Sequence, residues 1–266
     1  MRRTKIICTI GPKTESPAML EKLAKAGMNI ARLNMSHGDH SSHKSVIDSL
    51  KILNKKLDHP VGILLDTQGP EIRTGDIAND LHLKAGDVVS IVVRGTDNVE
   101  ESSIQINYED LIKDTNIGDT ITVDNGLINL QVLEKQDRLM KVKVIDGGLL
   151  KSKRHVNLPG VRVNLPAITE KDKRDIKFGI QNKVDFIALS FVREASDIKS
   201  LKTLLGENKR GTKIIAKLED QEAIKNMQEI IKFSDGIMVA RGDLGVEIPF
   251  EVLPRIQRRI IRTCAE

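Results

Sequence analysis

The sequence has no tryptophan, a single tyrosine (Tyr108) and only 2% aromatic residues. Nucleic-acid surfaces that bind single strands rely on aromatic faces for stacking, and that material is missing. Cysteine is nearly absent as well: Cys8 lies in an apolar, strand-like run and Cys264 in a helix-like one. Two such positions exclude a disulfide scaffold and offer no zinc spacing, so both read as small apolar side chains. No apolar run approaches the roughly 18 residues that a membrane helix needs. Nothing signal-like follows Met1-Arg2-Arg3-Thr4, so a cytoplasmic chain with no membrane partner is the expectation. Charge of one sign is not in large excess either. Against 37 Asp and Glu stand 42 Lys and Arg, a net +5 scattered along the chain. That balance suits small anionic ligands and not nucleic acid, which calls for a basic stripe.

With 266 residues, 39% hydrophobic and 30% charged, the chain is long enough to bury a sizeable core. Short apolar runs at 5–10, 29–33 and 61–65 alternate with helical patterns. Ser16-Pro17 opens the first helix as cap and first-turn proline, and Gly27 is placed to end it. Strand, helix, strand, helix, strand with short crossovers is a parallel α/β pattern. From Thr74 to Leu158 the helical period vanishes. Strand-like segments at 88–93, 103–106, 120–123, 128–132 and 140–145 are separated by turn signals such as Asp124-Asn125-Gly126. This stretch reads as an all-β unit, a small barrel inserted after the third strand. The βα rhythm resumes at Thr169, with strands at 185–191, 213–217 and 236–240. Ser196 is placed to cap the helix between the first two of these, and one helix carries Ile224, Met227, Ile230 and Ile231. The expected organisation is therefore a (β/α)8-type barrel with only six βα units present. It comprises residues 1–73 and 159–266, with 74–158 inserted as a β-barrel lid. Two further units would close such a ring, so the chain reads as a portion of a barrel protein or as an open sheet.

In parallel α/β barrels the chemistry sits at the carboxyl ends of the strands. There the second strand supplies Arg32, Asn34 and Ser36, two residues apart and so on one face. The third supplies Asp66 and Thr67, with Arg73 just beyond. The fourth gives Ser190 and Arg193, the fifth Lys217 and Glu219, and the sixth Arg241-Gly242-Asp243. Taken singly, a Lys-x-Glu is a rim salt bridge, Asn34 and Ser36 are turn residues, and Asp66-Thr67 is a helix cap. Five strand ends that all finish this way point to phosphoryl chemistry, which needs cations around a phosphate and carboxylates for a divalent ion. Glu219 and Asp243 are the natural pair for magnesium. Asn34, Ser36, Asp66 and Thr67 offer one carboxylate and several neutral oxygens, a set suited to a monovalent ion.

Several motifs resemble the pyruvate kinase family. They are Thr4-Lys5-Ile6-Ile7-Cys8-Thr9-Ile10-Gly11-Pro12, Ala31-Arg32-Leu33-Asn34-Met35-Ser36-His37-Gly38, Leu65-Asp66-Thr67-Gln68-Gly69-Pro70-Glu71-Ile72-Arg73-Thr74-Gly75, Val156-Asn157-Leu158-Pro159-Gly160 and Met238-Val239-Ala240-Arg241-Gly242-Asp243. The resemblance is to the bacterial type and runs the length of the chain. It implies transfer of the phosphoryl group of phosphoenolpyruvate to ADP, giving ATP and pyruvate through a magnesium-stabilised enolate, the last step of glycolysis. By the same resemblance Arg32 and Lys217 hold the phosphoryl group and are catalytic, and Gly242 and Asp243 meet the substrate. Glu219 and Asp243 take Mg2+ or Mn2+, and Asn34, Ser36, Asp66 and Thr67 take K+. Arg73, His37 and Arg154 look like nucleotide contacts, and the β insert looks like the family's lid. The family is usually homotetrameric. Departures are Met35 where the family has Phe, Gln68 where Lys is common, Leu218 in place of Ile, and Arg154-His155 in place of Lys-Gly. The family's next strand carries a threonine implicated in protonating the enolate, and this sequence has no counterpart. The alternative expectation is thus a chain that is catalytically weak or inactive and retains only ligand binding.

Overall fold

The computed structural model describes residues 4–93, 103–207 and 211–266. Residues 1–3, 94–102 and 208–210, which fall within the stretches delimited above, lie outside the described residues. The chain begins with β1 (Ile7–Thr9), α1 (Pro17–Lys25), β2 (Ile30–Asn34), α2 (His40–Asn54) and β3 (Gly62–Asp66). Ser16 caps α1, its hydroxyl accepting from the Met19 N–H, and Pro17 fills the first helical position, where no N–H is needed. Asp39 caps α2 in a reciprocal pair with Ser42.

The strand-rich stretch follows: β4 (Leu81–Leu83), β5 (Val88–Val93), β6 (Ile104–Ile106), α3 (Leu111–Asp114), β7 (Thr120–Val123), β8 (Ile128–Lys135), β9 (Leu139–Asp146), β10 (Gly148–Leu150) and β11 (Val156–Asn157). The one-turn α3 and the short β4, β10 and β11 are too brief to carry a readable period. Six of these strands form a sheet in the order β11-β7-β8-β9-β5-β6. The sheet curls until residues 72–75 hydrogen-bond to both its edges. Gly75 N–H donates to the Gln105 carbonyl at 2.8 Å on one side, and Thr74 N–H to the Arg154 carbonyl at 2.8 Å on the other. The segment that leads into the stretch thus also pins its two ends.

Then come α4 (Glu170–Gln181), β12 (Phe186–Leu189), α5 (Ala195–Leu205), β13 (Lys213–Leu218), α6 (Gln221–Lys225), α7 (Met227–Phe233), β14 (Gly236–Val239), α8 (Arg241–Glu247) and α9 (Leu253–Ala265). Three local expectations need correction. The cap position of α5 is Glu194, not Ser196. The Asp197 carboxylate accepts from the N–H groups of Arg193 and Glu194, which draws the helix start forward by two residues. The helical run through Ile224 and Ile231 breaks at Asn226 into α6 and α7, where the Asn226 side chain donates to the Arg193 carbonyl. Arg241-Gly242-Asp243 is no strand end but the first turn of α8, directly after β14.

The second six-stranded sheet is parallel throughout, in the order β1-β2-β3-β12-β13-β14. Sequential strands are neighbours, and β3 pairs with β12 across the entire strand-rich stretch. Two separate clusters of buried apolar side chains result. One joins the parallel sheet to its helices through residues such as Leu33, Ile47, Leu65, Leu189 and Leu218. The other fills the curled sheet with Ile91, Ile106, Val123, Leu130 and Val142. Each fully buried Leu or Ile contributes about 1.5–3 kcal/mol, so each cluster can hold its own sheet. Burial is deepest at β3, β12 and β13 and falls at the edges, where β14 is half-buried throughout and Ile7 of β1 is exposed.

Candidate active site

β2 alternates: Ala31 and Leu33 turn into the apolar core, while Arg32 and Asn34 turn to the opposite, polar side. The parallel register sets Asn34 beside Asp66, the last residue of β3. β13 delivers Lys217, and the chain beyond its end delivers Glu219. These residues meet at the carboxyl ends of the strands, where ladder partners run out and side chains take over.

The centre is a buried network. Arg32 grips one oxygen of Asp66 from two nitrogens, with Nε at 2.6 Å, and reaches the Thr9 hydroxyl at 2.8 Å. Lys217 Nζ lies 2.9 Å from Glu219 Oε1 and 3.2 Å from Asp66 Oδ1, and donates to the Ser190 hydroxyl at 2.7 Å. Ser190 in turn donates from its hydroxyl to the Thr67 carbonyl at 2.7 Å and from its backbone N–H to Thr67 Oγ1 at 3.1 Å. Glu219 is 2% exposed, and its second oxygen accepts from Phe191 N–H at 2.6 Å. Burial alone would pull Lys217 down, but the carboxylates of Glu219 and Asp66 outweigh it and hold the ammonium charged above its usual range. Burial pushes Glu219 up. Lys217 opposes that shift and the nearby Asp243 charge adds to it.

A polar cavity of about 290 Å³ opens over this network. Of the residues singled out from sequence, Arg32, Asn34, Ser36, Thr67, Lys217 and Glu219 line it from the parallel sheet. Arg73, Arg154 and Asp243 line it from the other sides. Asp66 stands directly behind Arg32 and Lys217 and does not reach the cavity. His37 and Gly242 are exposed and stand outside the lining. The His37 carbonyl accepts from the His43 ring. Arg193, also at a strand end, points away and donates to the carbonyls of Val163 and Leu165. It braces the chain between the two sheets.

The strand-rich stretch contributes a second wall that sequence reasoning saw only in Arg154 and His155. Asp124, Asn125 and Lys153 also line the cavity, all three at positive φ. The Asp124-Asn125-Gly126 turn signal was the available clue, since tight turns of this kind project side chains from a sheet edge. Arg154 lies 3.5 Å from Asp124, and its Nε is buried without a hydrogen bond. Arg73 donates to Glu71 at 2.7 Å and to the Lys153 carbonyl at 2.8 Å, linking the walls. Burial works against the Glu71 charge, but Arg73 and Gln68 hold its carboxyl below the usual range. His155 is driven down by burial and stands as neutral imidazole beside Glu71.

Among the described residues no group of three or more His, Cys, Asp and Glu gathers as a metal site. Glu219 and Asp243 are a pair of carboxylates that repel one another. Such a pair fits a divalent ion that takes its remaining ligands from substrate and water. In the second set, the Asn34 side-chain oxygen accepts from Ser36 N–H, and Asp66 Oδ1 is buried with the Lys217 ammonium, 3.2 Å away, as its partner. One carboxylate with neutral oxygens around it is a donor set that fits a monovalent cation.

Comparison with known proteins adds independent weight. The family model described as pyruvate kinase, barrel domain, matches residues 1–266. A pyruvate kinase of Staphylococcus epidermidis is 51% identical over 267 aligned residues, covering 99% of this chain and 46% of the relative. One from Staphylococcus aureus is 49% identical over the same coverage. The chain therefore spans about half the length of the curated relatives it matches.

Proposed function

Because the chain belongs to the pyruvate kinase family, a group of transferases, we propose that its cavity binds phosphoenolpyruvate and supports phosphoryl transfer to ADP, giving pyruvate and ATP. The observation that carries this reading is the network of Arg32, Asp66, Lys217 and Glu219 beneath one polar cavity. The two cations are held at fixed positions by carboxylates that are themselves buried. A trianionic substrate entering there meets a guanidinium and an ammonium whose orientation costs nothing at the moment of reaction. Lys217 is the group placed to follow negative charge from the bridging oxygen of the substrate to the enolate oxygen. Ser190 holds its Nζ, and Thr67 holds Ser190. Asp243 and Glu219 would hold Mg2+ or Mn2+, which supplies charge neutralisation at the phosphoryl and carboxylate oxygens. Asn34, Ser36, Thr67 and Asp66 would hold K+.

Arg73 and Arg154 on the facing walls suit a nucleotide's phosphates, whereas the exposed His37 would meet the nucleotide only at the mouth. Gly242 would serve through its backbone, at the exposed first turn of α8. In this reading the parallel sheet is six units of a (β/α)8-type barrel in residues 1–73 and 159–266. Residues 74–158 are then an inserted lid that excludes water on closing. The reading places the chain in glycolysis, hence in the cytoplasm.

The test is to mix the purified chain with phosphoenolpyruvate, ADP, Mg2+ and K+ and to follow pyruvate and ATP together. Equal formation of both, lost on omitting either metal, is the expected result. Phosphoenolpyruvate binding without any ADP-dependent product would favour the second reading, a ligand-binding unit that needs the rest of a longer protein for turnover. The coverage of under half of each relative makes that reading worth separating. No binding at all would overturn both.

A further inference from the structure

Asn157 ends β11, at the edge of the curled sheet, and Glu247 ends α8, the helix that begins with Asp243's turn. The Asn157 side-chain N–H donates to Glu247 Oε1 at 3.1 Å, a side-chain bond that joins the strand-rich stretch to a helix of the parallel sheet. Asn157 is 7% exposed, and its own Oδ1 is buried with no hydrogen-bond partner. A buried amide oxygen left bare costs about 1–3 kcal/mol. An ionised carboxylate cannot relieve that cost, because it brings only acceptors. A neutral carboxylic acid can: its carbonyl oxygen accepts from the amide N–H while its O–H donates back to the amide oxygen.

We propose that Asn157 and neutral Glu247 form a two-bond acid–amide pair that ties the end of β11 to α8 and so positions Asp243 over the cavity. The surroundings favour the neutral acid. Glu247 faces Asp220 from the start of α6 and Asp243 from its own helix, both acidic. Glu219 and Glu222 line the same neighbouring cavity, together with Arg162, Arg193, Lys225 and His155. Of the cations, Arg193 is committed to two backbone carbonyls and Arg162 lies against Glu222 at 3.5 Å. His155 is neutral. Among the described residues no ion pair reaches Glu247, whose backbone carbonyl is held by the Gln221 side chain. Burial pushes the Glu247 carboxyl up to about 7, against the pull of Asn157 and with the repulsion of Asp220 and Asp243. A folded-state value raised above the unfolded 4.5 favours the folded chain when the acid is protonated. The tie is therefore whole below about pH 5 and weakens as pH rises through 7.

The tie itself is independent of the catalytic reading. Only its consequence at Asp243 rests on that reading. The test compares the wild-type chain with Glu247→Gln, which keeps both hydrogen bonds and cannot ionise, and with Glu247→Ala, which keeps neither. Backbone hydrogen exchange at Val156 and Asn157 and urea midpoints are measured at pH 5.5 and 8.5, corrected for intrinsic exchange. Wild-type protection should drop by about tenfold or more between the two conditions, a change of about 1.4 kcal/mol. Glu247→Gln should hold its protection at both, and Glu247→Ala should exchange fast at both. A protonated-carboxyl infrared band at pH 5.5 in the difference spectrum of wild type minus Glu247→Gln is the direct signature, since any band from Glu219 cancels there. If Glu247→Gln follows the wild-type pH dependence, or the wild-type spectrum minus that of Glu247→Gln holds no protonated-carboxyl band, the pair is overturned. Because wild type against Gln decides the matter alone, an Ala variant that fails to fold does not blunt the test.

Discussion

The floor and the rim of the cavity are built from similar residues to opposite specifications. On the floor, the Asp66, Glu219 and Lys217 side chains are 1%, 2% and 11% exposed, and each touches at least two of its neighbours. On the rim, Lys153 faces Asp76 with both side chains about three-quarters or nearly so open to solvent, and Arg154 meets Asp124 across 3.5 Å. Charges on the floor are desolvated and interlocked, so their positions are fixed before any ligand arrives. Rim charges are screened and singly paired, worth at most about 1 kcal/mol each to stability. The floor is suited to chemistry, and the rim to capture and release.

Removing Lys217 should break the contrast most severely. Lys217→Met leaves Glu219 and Asp66 facing an apolar chain, and breaking a buried pair costs about 3–5 kcal/mol. Glu219 can escape part of that by taking up a proton, so urea unfolding should place the loss near the lower end. Any turnover of phosphoenolpyruvate should fall by about a thousandfold. A variant with normal turnover would remove Lys217 from the chemistry. Arg32→Ala comes next. It strips Asp66 of its bidentate partner but leaves Lys217 in place, and the Arg32 side chain is already 26% exposed. A loss of about 2 kcal/mol is expected by the same measurement, with a weaker phosphoenolpyruvate affinity by calorimetry.

Gly69→Ala tests the floor through the backbone alone. Gly69 sits at φ +73, and an added Cβ would lie 2.7 Å from the Phe191 ring and 3.0 Å from Ser190 Cβ. Its N–H donates to the buried carboxylate of Asp172, which fixes the turn. The left-handed conformation costs a side chain about 1–2 kcal/mol, and displacement of Phe191 adds to it. Since Phe191 N–H holds Glu219 and Ser190 holds Lys217, the substitution should lower activity by more than its stability loss explains. Equal losses in stability and activity would show that the turn is only scaffolding.

Which parts of this were legible in the sequence follows from range. The six parallel strands read clearly because each is a short apolar run bounded by caps and glycines, and their ends announced Arg32, Asp66, Lys217 and Glu219. The helical start at Arg241 did not read, because a seven-residue helix with two glycines carries no period. The cap at Glu194 was missed because Asp197 reaches back from inside the helix, a contact that Ser196 masks in a linear reading. Asp66's position behind the cavity, and not in its wall, depends on which neighbour claims its oxygens. Arg32 and Lys217 come from strands on either side of it, far apart in the chain. The tie between Asn157 and Glu247 spans 90 residues and leaves no local trace. Lys153 and Asp124 were hidden for a further reason: both stand at positive φ, in turns whose side-chain directions a linear reading does not give.

Arg154→Gln is the smallest expected effect and the one that most sharpens the contrast. On the floor, deleting a cation orphans a carboxylate. On the rim, Asp124 is 21% exposed and can be hydrated once Arg154 is gone. Arg154 Nε is itself buried without a partner, so the substitution removes an unsatisfied donor instead of creating one. Stability should therefore stay within about 0.5 kcal/mol of wild type, in either direction. ADP affinity, read by calorimetry, should fall by no more than about tenfold, and the deficit should shrink as salt rises, because exposed charges are screened within about 10 Å at 0.1 M. A stability loss as large as that of Arg32→Ala would mean that the rim charge is as interlocked as the floor and that the two walls form one buried network.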